Sequence, residues 1–252
     1  MNYKLNIIRT EYDDRDFHAE HYLTVSGPLP ETLDYRLDLL PVRDQGKEGA
    51  CAAFSAACMK EWEERKDVGF KDYMSPQYIY NSRSDLATEG MNTRDLMKIL
   101  FTKGCCPESM YPYGSKTKIS QQISTVAANY KIKSYAQVRT SADLKRALYE
   151  NGPCLIAIPV YNFTTQPWKR NIGESIQGGH AMTIVGYTKK GFIIRNSWGL
   201  KWGERGYTYF PFDHWGMQWE VWSTIDAKST PLPNKKISAV KSLLGKIKNI
   251  FK

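Results

Sequence analysis

Gln45-Gly46-Lys47-Glu48-Gly49-Ala50-Cys51-Ala52-Ala53-Phe54-Ser55-Ala56 is a glycine-broken loop that runs through a cysteine into an apolar stretch. From Ala52 to Met59 nearly every residue is apolar, and from Lys60 to Lys66 nearly every residue is charged. The pattern predicts a helix that begins at Cys51, is buried over its first two turns and is solvated afterwards. A cysteine in that position meets unpaired backbone N–H groups and the positive end of the helix dipole, which favour the thiolate, the attacking form of the group. Free cysteine is also a small hydrophobe that is commonly buried for packing alone. What separates these two readings lies downstream.

There, His180-Ala181-Met182-Thr183-Ile184-Val185-Gly186-Tyr187 and Gly191-Phe192-Ile193-Ile194-Arg195-Asn196 are two apolar runs around Thr188-Lys189-Lys190-Gly191. This is the pattern of a β-hairpin. It sets His180 at the start of one strand and Asn196 at the end of its partner, with the register between them left open. A lone histidine in an apolar run is more often a satisfied core residue, but Gly178 and Gly179 leave room for a substrate beside this one. A helix-borne Cys, a His beginning a strand and an Asn on the adjoining strand are the parts of cysteine-dependent acyl transfer: nucleophile, base and orienting group.

The composition is compatible with that chemistry. A chain of 252 residues with 42% hydrophobic content forms one large domain or two lobes sharing a cleft. Its formal charge of +9 is concentrated in residues 234–252, where Lys235, Lys236, Lys241, Lys246, Lys248 and Lys252 stand without an acid, so specific nucleic-acid recognition is not expected of the body. The apolar residues of that tail fall on one helical face opposite the lysines, which suits an anionic membrane surface or an acidic partner. Cysteines at 51, 58, 105, 106 and 154 make a poor disulfide framework and point to a reducing, intracellular compartment. The N-terminus lacks the apolar core of a signal peptide, and no apolar run approaches membrane-spanning length.

Along the chain, residues 1–28 read as an extended acidic arm, and His18-x-x-His21 within it as a solvated pair, with no metal site expected. Ser75-Pro76 begins a short helix, and Asn92 to about Thr102 forms another that stops at Gly104. From about residue 130 the segments are strand-like, apart from a helix near Asp143 to Glu150. Asn162-Phe163-Thr164 matches a glycosylation acceptor, which means little without a secretory signal.

The three motifs together resemble the papain-like cysteine peptidases. Gln45 lies six positions before Cys51, His180 lies 129 residues after it, and Asn196-Ser197-Trp198-Gly199-Leu200-Lys201-Trp202-Gly203 is similar to the family's hallmark stretch. The resemblance implies a two-lobed α+β fold: a helical lobe over 29–128 and an antiparallel, barrel-like β lobe over 129–230, with the active site between them, the arm before and the basic tail 231–252 after. It implies Cys51 as nucleophile, His180 as ion-pair partner and general acid, Asn196 as the acceptor orienting His180, and Gln45 with the Cys51 backbone N–H as oxyanion donors. Trp198 would shield the Asn196–His180 hydrogen bond. Gly90 and Met91 would form the substrate wall and an apolar second subsite, and Gly179 would face the substrate. No metal or organic cofactor is implied, and the substrate is a polypeptide.

Two departures stand out: Glu48 replaces a cysteine of the family's disulfide, and Ala52 replaces a tryptophan. The short arm resembles that of compact family members from bacteria and large DNA viruses, and its place suggests that it lies along the cleft and restrains activity. Ligation or isopeptide cleavage by the same residues, and a catalytically silent binding module, are the alternative readings.

Overall fold

A computed structural model describes residues 3–226; the basic tail lies outside them. In chain order the elements are β1 (Ile7–Ile8), β2 (Leu33–Asp34), α1 (Cys51–Val68), α2 (Pro76–Asn81), β3 (Met91–Asn92), α3 (Thr93–Thr102), α4 (Gln121–Ala127), β4 (Ile132–Gln137), α5 (Ser141–Asn151), β5 (Cys154–Val160), β6 (Gly178–Tyr187), β7 (Gly191–Arg195), β8 (Tyr207–Pro211) and β9 (Glu220–Asp226). Helices α1 to α4 make one lobe. The other is a seven-stranded antiparallel sheet in the order β4-β9-β5-β6-β7-β8, with β2 added on β6 and α5 packed against it.

Local chemistry accounts for the helix boundaries. Ser75 accepts from the Tyr78 N–H with Pro76 in the first turn, Asn92 accepts from Arg94 and Asp95, Thr140 accepts from Asp143, and Gly69 closes α1 in the left-handed conformation. Between the lobes runs α1, with α2 and α3 on one side and β5 and β6 on the other. Ser55 Oγ donates to the Met182 carbonyl at 2.9 Å, fastening α1 to β6.

Two expectations need correction. Lys60, Glu61, Glu63 and Glu64 are buried, not solvated. Lys60 Nζ meets Glu63 at 3.0 Å and Glu64 at 2.9 Å and also pairs with Asp226. Glu61 accepts from Arg43 at 3.2 Å and from the Met74 N–H at 3.1 Å. Mutual pairing offsets the cost of removing these charges from water, so a polar run sits in an interface where periodicity predicts solvent. Only the last turn, from Arg65, is exposed.

The second concerns the lobe boundary. Residues 33–41 belong with the sheet rather than the helical lobe: Leu33 pairs with Tyr187, Tyr35 donates to the Val185 carbonyl at 3.0 Å, and Arg195 donates to the carbonyls of Leu40 and Pro41. At Gly186 the two strands approach so closely that a Cβ would lie 2.1 Å from the Leu33 oxygen.

Candidate active site

Cys51 opens α1 and is buried at the junction of the lobes. The backbone N–H groups of Ala181, Asn6, Ala52 and Cys51 itself favour its anion, but burial outweighs them and raises the thiol pKa. His180, third residue of β6, is wholly buried. The hairpin register pairs Thr183 with Arg195, which brings Asn196 beside His180. His180 Nε2 lies 2.7 Å from Asn196 Oδ1, which also accepts the Ser197 N–H at 2.8 Å. An oxygen that already accepts one N–H takes the imidazole as a second donor, so Nε2 carries the proton and Nδ1 is the free basic nitrogen. Desolvation lowers the His180 pKa to about 4, against a smaller upward push from Asn196. The thiolate–imidazolium pair expected from the sequence is therefore disfavoured in this covered state, because burial pushes both groups to their neutral forms.

The indole of Trp198 stacks on His180 at 4.4 Å, and Trp202 meets Trp198 edge-on at 5.5 Å. This aromatic layer covers the buried ring of His180 that meets Asn196.

Gln45 is held by a short antiparallel link between the two sides of the cleft. Its N–H donates to the Ser197 carbonyl at 2.8 Å, and the Gly199 N–H donates to the Arg43 carbonyl at 3.1 Å. Ser197 Oγ donates to Gln45 Oε1 at 2.7 Å, which orients the amide so that Nε2 donates to the carbonyls of Glu48 at 3.0 Å and Lys4 at 3.3 Å. Tyr113 Oη donates to the Gln45 carbonyl at 2.7 Å. Ser197 and Tyr113 are functional neighbours that sequence reasoning missed. Ser197 stands inside the Asn196–Gly203 run and was readable as a motif position; Tyr113 carries no local signal.

Residues 3–10 of the arm run through this cleft. The Lys4 carbonyl is on Gln45 Nε2, the Met91 N–H donates to the Asn6 carbonyl at 3.0 Å, and β1 pairs in parallel with β3, Ile7 opposite Met91. All four predicted substrate-facing residues meet the arm. Met91 shares a buried apolar cluster with Ile7, Ala157 and Ala181. A Cβ on Gly90 would lie 2.8 Å from Ile8 Cδ1, and one on Gly179 would lie 2.6 Å from the Ile7 oxygen. Trp198 stacks on Tyr3 at 4.2 Å. Toward the arm the hydrogen bond is made by the Met91 N–H, and Gly90 contributes the absence of a side chain. Further along, Arg94 clasps Asp16 through two bonds at 2.7 and 2.6 Å, and Glu150 accepts the N–H groups of Thr24 and Val25. The two histidines expected to be solvated are split: His18 is mostly buried and its backbone bridges to Gln137, while His21 is exposed, with ligand atoms of His18, Glu20 and His21 all within 4.8 Å of one another.

The family model described as papain family cysteine protease matches residues 29–221. The chain belongs to the papain family of cysteine proteases. Mouse cathepsin K is 31% identical over 200 residues, covering 72% of this chain and 59% of that protein. Cysteine proteinase 3 of Entamoeba histolytica is 29% identical over 192 residues, covering 71% and 61%. The chain thus spans about three fifths of the length of these curated relatives. Xylellain, a cysteine protease from Xylella fastidiosa, superposes with a TM-score of 0.76 at 26% identity over 88% of this chain and 96% of that one.

Against the family pattern, Glu48 accepts a hydrogen bond from Gln77 Nε2 at 3.2 Å where a disulfide cysteine is usual, and Ala52 is fully buried. All five cysteines are buried free thiols. Among the described residues no helix is long and apolar enough to cross a membrane.

Proposed function

We propose that this papain-family chain is a cysteine endopeptidase held latent by its own N-terminal arm. Cys51 attacks the carbonyl carbon of a peptide bond, and Gln45 Nε2 with the Cys51 N–H holds the developing oxyanion. His180 Nδ1 takes the thiol proton and passes it to the leaving amine as the C–N bond breaks; water, deprotonated by His180, then cleaves the thioester and restores the thiol. Asn196 keeps the imidazole in the tautomer this requires. The observation that carries the reading is the occupant of the cleft: a peptide strand whose Lys4 carbonyl lies on the proposed oxyanion donor while its backbone pairs with β3.

The same contacts support latency, since substrate would need the space that residues 3–10 fill. Five free thiols support a reducing compartment for the enzyme. The lysine-rich tail, whose sequence suits an anionic surface, would add a membrane or acidic partner to the polypeptide substrate.

The test is covalent labelling of Cys51 by a small thiol-reactive peptide, read by intact mass. Labelling is expected in the full chain, faster in a chain beginning at Leu29, and lost in His180→Ala. Equal labelling of His180→Ala and the parent chain would overturn the catalytic reading, and equal rates with and without the arm would overturn latency.

A further inference from the structure

Beside His180, three aromatic rings meet. Tyr3 stacks on Trp198 at 4.2 Å with 4° between the ring planes. Phe163 leans on both, its ring 5.9 Å from Tyr3 and 6.0 Å from Trp198. A groove of about 420 Å³ continues past Tyr3, lined also by Phe163, Thr164, Lys201 and Trp202. Phe163 is 41% exposed even with Tyr3 in place, and neither buried apolar cluster includes it. Packing does not explain a phenylalanine there.

Its position is nevertheless well defined. Asn162 Nδ2 donates to the Lys169 carbonyl at 3.0 Å and to Glu174 at 2.8 Å, and Asn162 Oδ1 accepts from Thr164 Oγ1 at 2.6 Å. Both flanking side chains are thus committed to holding the loop between β5 and β6, and Phe163 is presented at its tip as a preformed wall.

The chemistry of the proposed reaction says which part of a substrate meets this wall. The nitrogen that leaves the acyl carbon takes its proton from His180, and that nitrogen belongs to the residue after the scissile bond. Trp198 covers the same imidazole at 4.4 Å. The residue after the scissile bond therefore lies beside Trp198 and Phe163, whereas the pocket holding Ile7 is on the acyl side.

We propose that Phe163 and Trp198 form a slot that selects an aromatic side chain immediately after the scissile bond, with Phe163 as the specificity-determining residue and Tyr3 as the occupant of that slot in the latent chain. Ring stacking against two walls contributes about 0.5–1.5 kcal/mol beyond area burial, a preference of up to about tenfold. The inference rests on the acyl-enzyme reading above.

Aminolysis tests it directly. The full chain carrying Tyr3→Ala and Ile7→Asp, which together free the slot and uncover Cys51, is acylated with a short peptide ester, and equal concentrations of phenylalanine amide, leucine amide and alanine amide compete with water for the acyl-enzyme. Each amine attacks the thioester carbon, the C–S bond breaks, and the amine proton returns to Cys51 through His180. Mass spectrometry of the products should show phenylalanine amide captured several-fold over leucine amide and roughly tenfold over alanine amide. Phe163→Leu, which keeps the volume and loses the ring, should bring the phenylalanine-to-leucine ratio close to one. Equal capture of the phenylalanine and leucine amides, or a ratio unchanged in Phe163→Leu, would overturn the slot while leaving the peptidase reading standing. Absence of any acyl mass on Cys51 would overturn that reading and the slot with it.

Discussion

The two ends of α1 carry buried titratable groups that reach opposite settlements with their surroundings. At the N-terminal end, Cys51 and His180 are shut from water and are driven to their neutral forms. Further along, Lys60 is equally buried yet held charged, by Glu63, Glu64 and Asp226 together. The difference lies in what removes the water. Around Lys60 it is the core itself, and the charges are matched within it. Around Cys51 part of the cover is the arm, a segment attached by a stacked ring, one buried isoleucine and a few polar ties. One cluster is covered by the core itself; the other is covered in part by the arm, whose departure is what the proposed latency requires.

Breaking the core-covered end should have the largest effect on stability. Lys60→Met leaves three carboxylates facing one another without a cation and is expected to cost about 3–5 kcal/mol, lowering the melting temperature on the order of 10 °C. An unchanged melting curve would mean that the two ends do not differ as described.

Uncovering the arm-covered end should change reactivity rather than stability. Ile7→Asp places a charge in the apolar pocket beside Met91, and forfeiting a buried isoleucine is worth about 1.5–3 kcal/mol, so alkylation of Cys51 by iodoacetamide should accelerate by roughly ten- to a hundredfold. The pH dependence follows in sign. Covered His180 titrates near 4, below the ordinary histidine value, so the covered form gains stability relative to the uncovered one as pH rises from about 4 to about 6.5 and gains no more above that. Acidification through this window favours arm release. In a Cys51→Ala background, NMR titration should find His180 near 4 in the full chain and well above it when Ile7→Asp is added; equal values would remove the arm as the cause of the shift.

The smallest effect expected is at Ser197. Ser197→Ala removes the hydroxyl that orients the Gln45 amide and should lower kcat/KM by up to about tenfold, against about 100- to 1,000-fold for Gln45→Ala. Because Ser197 is argued to act through Gln45, the double variant should be no worse than Gln45→Ala alone. Additive losses would show that Ser197 works some other way.

Cys51, His180 and Asn196 could be singled out in the chain because each sits in a local pattern: a glycine-broken helix start, a glycine-flanked strand start, the end of a hairpin; Gln45 was singled out only by the resemblance to the family. The helix starts at Ser75 and Asn92 were legible as local patterns too, whereas Gly69, which closes α1, was not read. What escaped reading is what long-range pairing decides. Lys60 to Glu64 look solvated because their partners, Arg43, Thr224 and Asp226, are far away in sequence. Leu33 to Pro41 look like part of the helical lobe because the strand end that captures them lies some 150 residues further on. The parallel pairing of Ile7 with Met91 had no signal beyond two apolar residues, and only the placement of the arm before the first lobe hinted at it.

The antiparallel link from Arg43 to Gln45 and from Ser197 to Gly199 has a mechanical consequence. It ties Gln45, the proposed oxyanion donor, directly to the chain segment that carries Asn196, so the spacing between these two groups is set by backbone hydrogen bonds rather than by the packing of one lobe on the other. The compliance of the cleft is left to its opposite wall, Gly90 and Met91, where the arm is held by one short parallel ladder. On the proposed latency, a strand enters and leaves past Gly90 and Met91 while the backbone link at Gln45 and Ser197 stays closed, like a latch set beside the reacting groups.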